Sequence, residues 1–205
     1  YLAQEMPIKG DIVIPVPDSG VPAALGFAEE SGIPFGLGII RNHYVGRTFI
    51  EPTQKIRQLG IKLKHNPNRA LIKGKKVILV DDSIVRGTTA TKIVEMIREA
   101  GAAEGHMRIS SPPIRFPDYY GIDTPKKEEL IANNLTVKEI NSKLKLDSLY
   151  FLSIKGLYRA MGFEDRDNSN PQFTDHCFTG DYPTELVDLK EGILSNQLSL
   201  LSDNH

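Results

Sequence analysis

Residues 77–89 read VILVDDSIVRGTT. Four apolar residues run into two adjacent aspartates, and Ser-Ile-Val-Arg-Gly-Thr-Thr follows at once. The apolar run has the composition of a strand buried in a parallel sheet. Within such a strand two neighbouring carboxylates would repel each other and lose hydration, so they belong at its carboxyl end. TATKIVEMIREAG (89–101) then reads as a helix. The connection combines hydroxyls from Ser83, Thr88 and Thr89 with Gly87, which lets backbone approach a ligand closely. The helix amino terminus adds free N–H groups and a favourable dipole. Together these make a phosphate cup. Two acceptors beside it suit a ligand whose hydroxyls lie a few ångströms from its phosphate. A ribose 5-phosphate has that layout, with Asp81 and Asp82 toward the 2- and 3-hydroxyls and the loop around the phosphate. The alternative is a surface strand end at which Asp82 or Ser83 caps the next helix. The complete string of hydroxyls, glycine and helix favours the ligand reading. It is not a Walker loop, because the Gly-Lys-Ser/Thr ending is missing.

Working outward, DIVIPVP (11–17) is a short β-rich run, and Asp18-Ser19-Gly20 forms a turn after it. VPAALGFAEESG (21–32) reads as a helix with Pro22 in its first turn and Gly32 as its stop. PFGLGII (34–40) is a second apolar run, and residues 41–68 form a basic, mixed segment without clean periodicity. HMRISS (106–111) is a further strand, ended by Pro112-Pro113. Strands alternating with helices predict parallel βαβ units and an open, doubly wound α/β sheet. The ligand site of such a sheet lies beyond the carboxyl ends of its strands. After residue 113 the pattern turns mainly helical, in KKEELIANN, TVKEINSKLK and SIKGLYRAMG. From Asp165 the chain is polar and irregular, and NQLSLLSDNH at its end is expected to be disordered.

The composition is that of an ordinary globular chain: 205 residues, 40% hydrophobic, 25% charged, net charge -1. That balance gives no electrostatic footprint for nucleic acid or an anionic membrane, so any anion binding is local. No run is long enough to span a bilayer and no signal-peptide pattern opens the chain, which makes the cytoplasm the default setting. Cys177 is the only cysteine, excluding an intrachain disulfide and a cysteine-rich metal site. The chain opens at Tyr1 and reaches a strand-like run almost immediately, as expected of a fragment with something removed upstream.

VILVDDSIVRGTT is similar to the phosphoribosyl-pyrophosphate signature of type I phosphoribosyltransferases. VIPVPDSG, RNHYVGRTFI, RISSPP with PDYYGIDTP, and FTGDYPT resemble the branch of that family that takes its nitrogen from glutamine. The likeness runs in order from residue 8 to residue 184. It implies a type I phosphoribosyltransferase fold, a twisted and mostly parallel sheet flanked by helices, with a helical C-terminal extension. The implied division is a phosphoribosyltransferase domain over 1–160 and an extension over 161–205. By this resemblance Asp18, Ser19 and Gly20 form a pyrophosphate loop. Asp81, Asp82, Ser83, Ile84, Val85, Arg86, Gly87, Thr88 and Thr89 hold the ribose phosphate, with Arg86 read as peripheral. Ser19, Asp81 and Asp82 would hold Mg2+, for which hard oxygen donors are suited. Residues 41–64 resemble a catalytic loop that closes over substrate, with Tyr44 and Arg47 acting beside Asp81 and Asp82. His43 stands where the family has arginine, which would make charge at that position pH-dependent.

The implied reaction is displacement of pyrophosphate from 5-phosphoribosyl 1-pyrophosphate by ammonia. It gives 5-phosphoribosylamine, the first step of de novo purine synthesis. The expected partners are that substrate, ammonia, purine nucleotide inhibitors, an amino-terminal glutaminase domain missing from this stretch, and further copies of the chain. Neither nucleic acid nor membrane is expected. The alternatives are a nucleobase phosphoribosyltransferase or a non-catalytic regulator that binds the same sugar pyrophosphate. Some family members hold an iron–sulfur cluster on four cysteines. Here Asp118 and Thr174 stand at two of those positions, so no cluster is expected; Cys177 reads as a packed residue and the Asp-His-Cys run at 175–177 as a weak metal signal.

Overall fold

The computed structural model describes residues 1–42 and 65–186. From the amino end the elements are α1 (Leu2–Glu5), β1 (Ile12–Pro15), α2 (Val21–Ser31), β2 (Ile39–Arg41), β3 (His65–Pro67), α3 (Arg69–Ile72) and β4 (Lys76–Asp81). They continue as α4 (Thr88–Glu99), β5 (Glu104–Ile109), α5 (Ile131–Asn134), α6 (Val137–Leu144), β6 (Ser148–Phe151), α7 (Ile154–Ala160) and α8 (His176–Thr179). β1, β4, β5 and β6 lie side by side in that order, every neighbouring pair parallel. β2 and β3 form a separate antiparallel pair.

β4 runs through the middle and shows why VILV is apolar throughout. Successive side chains of a strand point to opposite faces, and here both faces are covered. Val77 and Leu79 enter one core with Ile93 and Ile97 of α4 and Ile140 and Leu144 of α6. Ile78 and Val80 enter the other with Leu2 and Ala3 of α1 and Ala24 and Phe27 of α2. All four strand residues are completely buried, and each contributes about 1.5–3 kcal/mol by leaving water. Two helix-covered faces make the sheet doubly wound, as expected.

Three features depart from the sequence reading. β6 lies inside the stretch read as mainly helical and completes the sheet. Ser-Leu-Tyr-Phe is only partly buried on this outer strand, so it lacks both a continuous apolar run and a clean alternation. PFGLGII supplies no strand of the main sheet: Phe35 makes one bridge to Val13, and Ile39 and Ile40 enter the small sheet. β5 begins at Glu104 and ends at Ile109, which leaves Ser110 and Ser111 beyond the strand.

Past α7 the described chain is fastened by a largely buried cation. Arg166 pairs with Asp175 at 2.6 Å and with Asp181 at 2.6 Å, and Tyr158 and Thr179 also donate to Asp175. Burial works to raise the pKa of Asp175, but Arg166 and the two hydroxyls outweigh it and hold the carboxyl below its ordinary range. No helix among the described residues is long and apolar enough to cross a membrane.

Candidate active site

Three loops meet where the strands end. The loop after β1 is drawn against β4 by a hydrogen bond from Val16 N to Val80 O (2.8 Å) and turns back with Gly20 N donating to Val16 O (3.0 Å). Only glycine fits at position 20. A Cβ there would lie 2.4 Å from Val80 O, 2.7 Å from Val16 O and 3.2 Å from Asp81 Cα. The turn Asp18-Ser19-Gly20 is thereby packed against the start of the acidic pair. Asp18 and Ser19 are exposed, and the Pro17–Asp18 peptide is cis. From β5, Ser110 donates its N–H (2.9 Å) and its hydroxyl (3.3 Å) to Asp81 O.

Strand alternation separates the two aspartates. Asp81 follows Val77 and Leu79 on the face turned to the α4 core and is 6% exposed, whereas Asp82 lies past the strand end and is exposed. Desolvation, with Asp82 next to it, pushes the Asp81 carboxyl up to about 8, so at neutral pH it is largely protonated. Its Oδ1 accepts the Asp82 N–H at 2.9 Å. A buried acid and an exposed carboxylate thus stand side by side.

The loop that follows is anchored at its middle and open at its ends. Ile84 is buried in the core, and Val85 O accepts the Ile131 N–H at 2.9 Å. Arg86 turns outward, its Nε 2.8 Å from Glu129. Gly87 adopts φ +79, the left-handed region, and a Cβ there would come within 2.7 Å of Ile131 Cδ1. Thr88 and Thr89 are exposed in the first turn of α4, whose amino terminus has no side-chain cap. Its first amides are therefore donors waiting for an acceptor. The amino terminus of α2, at Gly20, is likewise uncapped.

The structure therefore brings Asp18, Ser19 and Gly20 together with Asp81, Asp82 and residues 83–89. Tyr44, Arg47 and His43 lie outside the described residues. Two contributors were not singled out from sequence. Arg41, at the end of β2, forms an ion pair with Asp18, while its Nε is buried without a hydrogen-bond partner. Ser110 fixes the end of β5 to Asp81. Arg41 opens the basic segment and Ser110 precedes Pro112-Pro113, but neither position reveals a partner far away in sequence. A broad, open depression elsewhere is lined by Arg69, Lys73 and Glu99. It lies at the opposite end of the sheet, before β4 and after α4, and offers mixed charge with no buried polar group.

Comparison with known proteins agrees with this geometry. The model of the phosphoribosyl transferase domain family matches residues 2–110. An amidophosphoribosyltransferase from Rhizobium etli is 64% identical over 204 residues, covering 99% of this chain and 41% of that protein. A chloroplastic amidophosphoribosyltransferase from Arabidopsis thaliana is 57% identical, covering 92% of this chain and 32% of that protein. The solved structure of glutamine phosphoribosylpyrophosphate amidotransferase from Bacillus subtilis, complexed with ADP and GMP, superposes with a TM-score of 0.79 at 52% identity. It covers 90% of this chain and 40% of that one. The chain thus spans roughly two-fifths or less of the length of these relatives. A parallel sheet wound by helices on both faces, an acidic strand end facing uncapped helix amino termini, and a family model covering more than half the chain lead to one assignment: the chain belongs to the phosphoribosyl transferase domain family.

Proposed function

We propose that this chain carries the phosphoribosyl-transfer site of an amidophosphoribosyltransferase, where ammonia displaces pyrophosphate from 5-phosphoribosyl 1-pyrophosphate to give 5-phosphoribosylamine. The observation that carries the reading is the pairing of buried Asp81 with exposed Asp82 beside two uncapped helix amino termini. Ser83, Thr88, Thr89 and the first amides of α4 would receive the 5-phosphate. The amides of Asp18 and Ser19, in the turn closed by Gly20, would receive the pyrophosphate. Asp82 would accept from the ribose hydroxyls.

Mg2+ fits the donors. Ser19 and Asp82 are exposed oxygens, and Asp81 is a desolvated carboxyl whose neighbours among the described residues offer no positive charge. These three residues would hold the ion, which when bound neutralises the departing pyrophosphate. Positive charge developing at ribose C1 is favoured by the flanking carboxylate oxygens, and ammonia needs no strong base because it is nucleophilic when neutral. From sequence alone, Arg47 is assigned to the pyrophosphate side and Tyr44 to the same catalytic loop. An iron–sulfur cluster does not fit, since a four-thiolate cluster needs more than the one cysteine present.

We further propose a phosphoribosyltransferase domain over 1–160 followed by an extension over 161–205. Purine nucleotides are proposed as inhibitors, in line with the ADP and GMP of the Bacillus subtilis relative. A glutaminase domain elsewhere in a longer chain is the proposed ammonia source, in a cytoplasmic homo-oligomer. The test is pyrophosphate release on adding ammonia. It is expected to require Mg2+ and to fall by about 10²–10³-fold in Asp82→Asn. Equal rates in both forms would reject the assignment.

A further inference from the structure

A second cluster of ligating side chains lies in the C-terminal part of the chain. Asp118, His176 and Cys177 come from segments 58 residues apart, yet their ligand atoms all lie within 4.8 Å of one another. The backbone brings the two segments together, because Arg115 N and Phe116 N both donate to Cys177 O (2.9 and 3.1 Å). One oxygen of Asp118 is fixed by the amides of Tyr120 (2.8 Å) and Ile122 (2.9 Å). The other lies 2.7 Å from His176 Nε2. His176 is 4% exposed, stacked by Tyr182 at 5.0 Å and met edge-on by Tyr120 at 5.1 Å. Its second ring nitrogen, Nδ1, is buried with no hydrogen-bond partner.

A carboxylate, an imidazole and a thiol gathered this closely from two distant segments make a donor set that fits a bound ion. Bonds of roughly 2.0–2.3 Å to oxygen, nitrogen and sulfur set tetrahedral donors about 3.3–3.6 Å apart. The Asp118–His176 contact would open by about half an ångström and the widest separation would close by about one. Rotation of a cysteine and an imidazole supplies movements of that size. A set of carboxylate, imidazole and thiolate selects a borderline transition-metal ion over Mg2+ or Ca2+.

We propose that Asp118, His176 and Cys177 form a mononuclear site for a Zn2+-like divalent ion, with water at the fourth position, fastening the segment after β5 to α8. On binding, the metal–sulfur bond forms as the thiol proton leaves to solvent, and no electron is transferred. The site differs in nuclearity and ligands from a four-thiolate cluster.

Because Cys177 is the only cysteine, a thiolate signal can come from no other residue in the chain. The metal-stripped 205-residue chain is titrated with Co2+ and then with Zn2+. One equivalent of Co2+ is expected to bind with tetrahedral ligand-field bands and thiolate-to-cobalt charge-transfer absorption, and Zn2+ to displace it. Cys177→Ser is expected to abolish the charge-transfer band, weaken Zn2+ binding about 10–100-fold and leave pyrophosphate release unchanged. Asp118→Asn keeps an oxygen for the two amides, so it is expected to melt cooperatively while binding Zn2+ at least tenfold more weakly. Failure to take up stoichiometric metal at micromolar concentration would overturn the proposal. So would a cobalt spectrum indifferent to Cys177→Ser. Asp118 and His176 would then be a metal-free staple.

Discussion

Among the described residues, the four helices of seven residues or more fall into two pairs. α6 starts with a capping box, Thr136 accepting from Glu139 N while Glu139 accepts from Thr136 N at 2.7 Å. α7 starts with Ser153, whose hydroxyl accepts from Gly156 N at 2.8 Å, and Glu5 reaches across from α1 to accept from Ser153 N at 2.9 Å. α2 and α4 start with Gly20 and Gly87, and neither has a side-chain cap. A cap contributes about 1 kcal/mol, so the second pair forgoes stability that the first pair takes. The two uncapped termini are the two that face the acidic strand end. At α4 the first amides have no side-chain acceptor, where a phosphorylated ligand would supply one; at α2 Val21 N already donates to Asp18 O and Pro22 carries no N–H.

The buried carboxylates show the same division. Asp175 and Asp81 are 4% and 6% exposed. Asp175 has a guanidinium and two hydroxyls around it and is held ionised. Asp81 has a neighbouring carboxylate instead and is pushed up to about 8. One is a finished structural ion pair; the other is a desolvated carboxyl beside a second acid.

The sharpest way to break the contrast is Asp81→Asn. Turnover is expected to fall at least about 10²-fold, while the unligated protein becomes more stable. The sign follows from linkage: a carboxyl raised in the folded state stabilises fully below its unfolded pKa near 4, and that contribution is lost as pH rises toward 8. Removing the group is therefore expected to give on the order of 5 kcal/mol at pH 8 and almost nothing at pH 4, read from urea unfolding at the two pH values. Asp175→Asn should do the opposite, losing about 3 kcal/mol at neutral pH, with a smaller loss as pH falls and the wild-type carboxylate protonates. Similar curves for the two variants would erase the distinction.

Gly20→Ala comes next. Its Cβ meets two carbonyl oxygens that cannot move aside, so a loss of about 1–3 kcal/mol in stability is expected. Affinity for 5-phosphoribosyl 1-pyrophosphate should fall at least about tenfold, at roughly 1.4 kcal/mol per tenfold change. Gly26→Ala, within the same helix and with nothing within 4 Å of its Cβ, is expected to gain about 0.5–1 kcal/mol by thermal unfolding. The capped pair should affect stability alone. Thr136→Ala and Ser153→Ala should each cost about 1 kcal/mol and leave ligand affinity unchanged.

Much of this was legible from sequence, for identifiable reasons. VILV could only be a strand covered on both faces, and that placed Asp81 and Asp82 at its end. Gly87 and the threonines then marked the start of α4. Period-two alternation also contained the difference between the aspartates, with Asp81 in phase with Val77 and Leu79, but it becomes usable only once the strand end is known. What stayed hidden depends on distance along the chain. Arg41 finds Asp18, Arg86 finds Glu129, and His176 finds Asp118 through packing that no local pattern encodes. β6 was masked by its position at the sheet edge, where half-buried residues between two helices carry no strong periodicity.

The central claim is that the carboxyl edge of the sheet binds a ribose phosphate bearing a pyrophosphate, through Asp81, Asp82 and two helix amino termini without side-chain caps. Calorimetry of the chain with 5-phosphoribosyl 1-pyrophosphate, with and without Mg2+, tests it most directly. One ligand per chain is expected, with affinity at least about tenfold higher when Mg2+ is present and that increment lost in Asp82→Asn. No heat at millimolar ligand, or binding equally strong without Mg2+ and in Asp82→Asn, would contradict it.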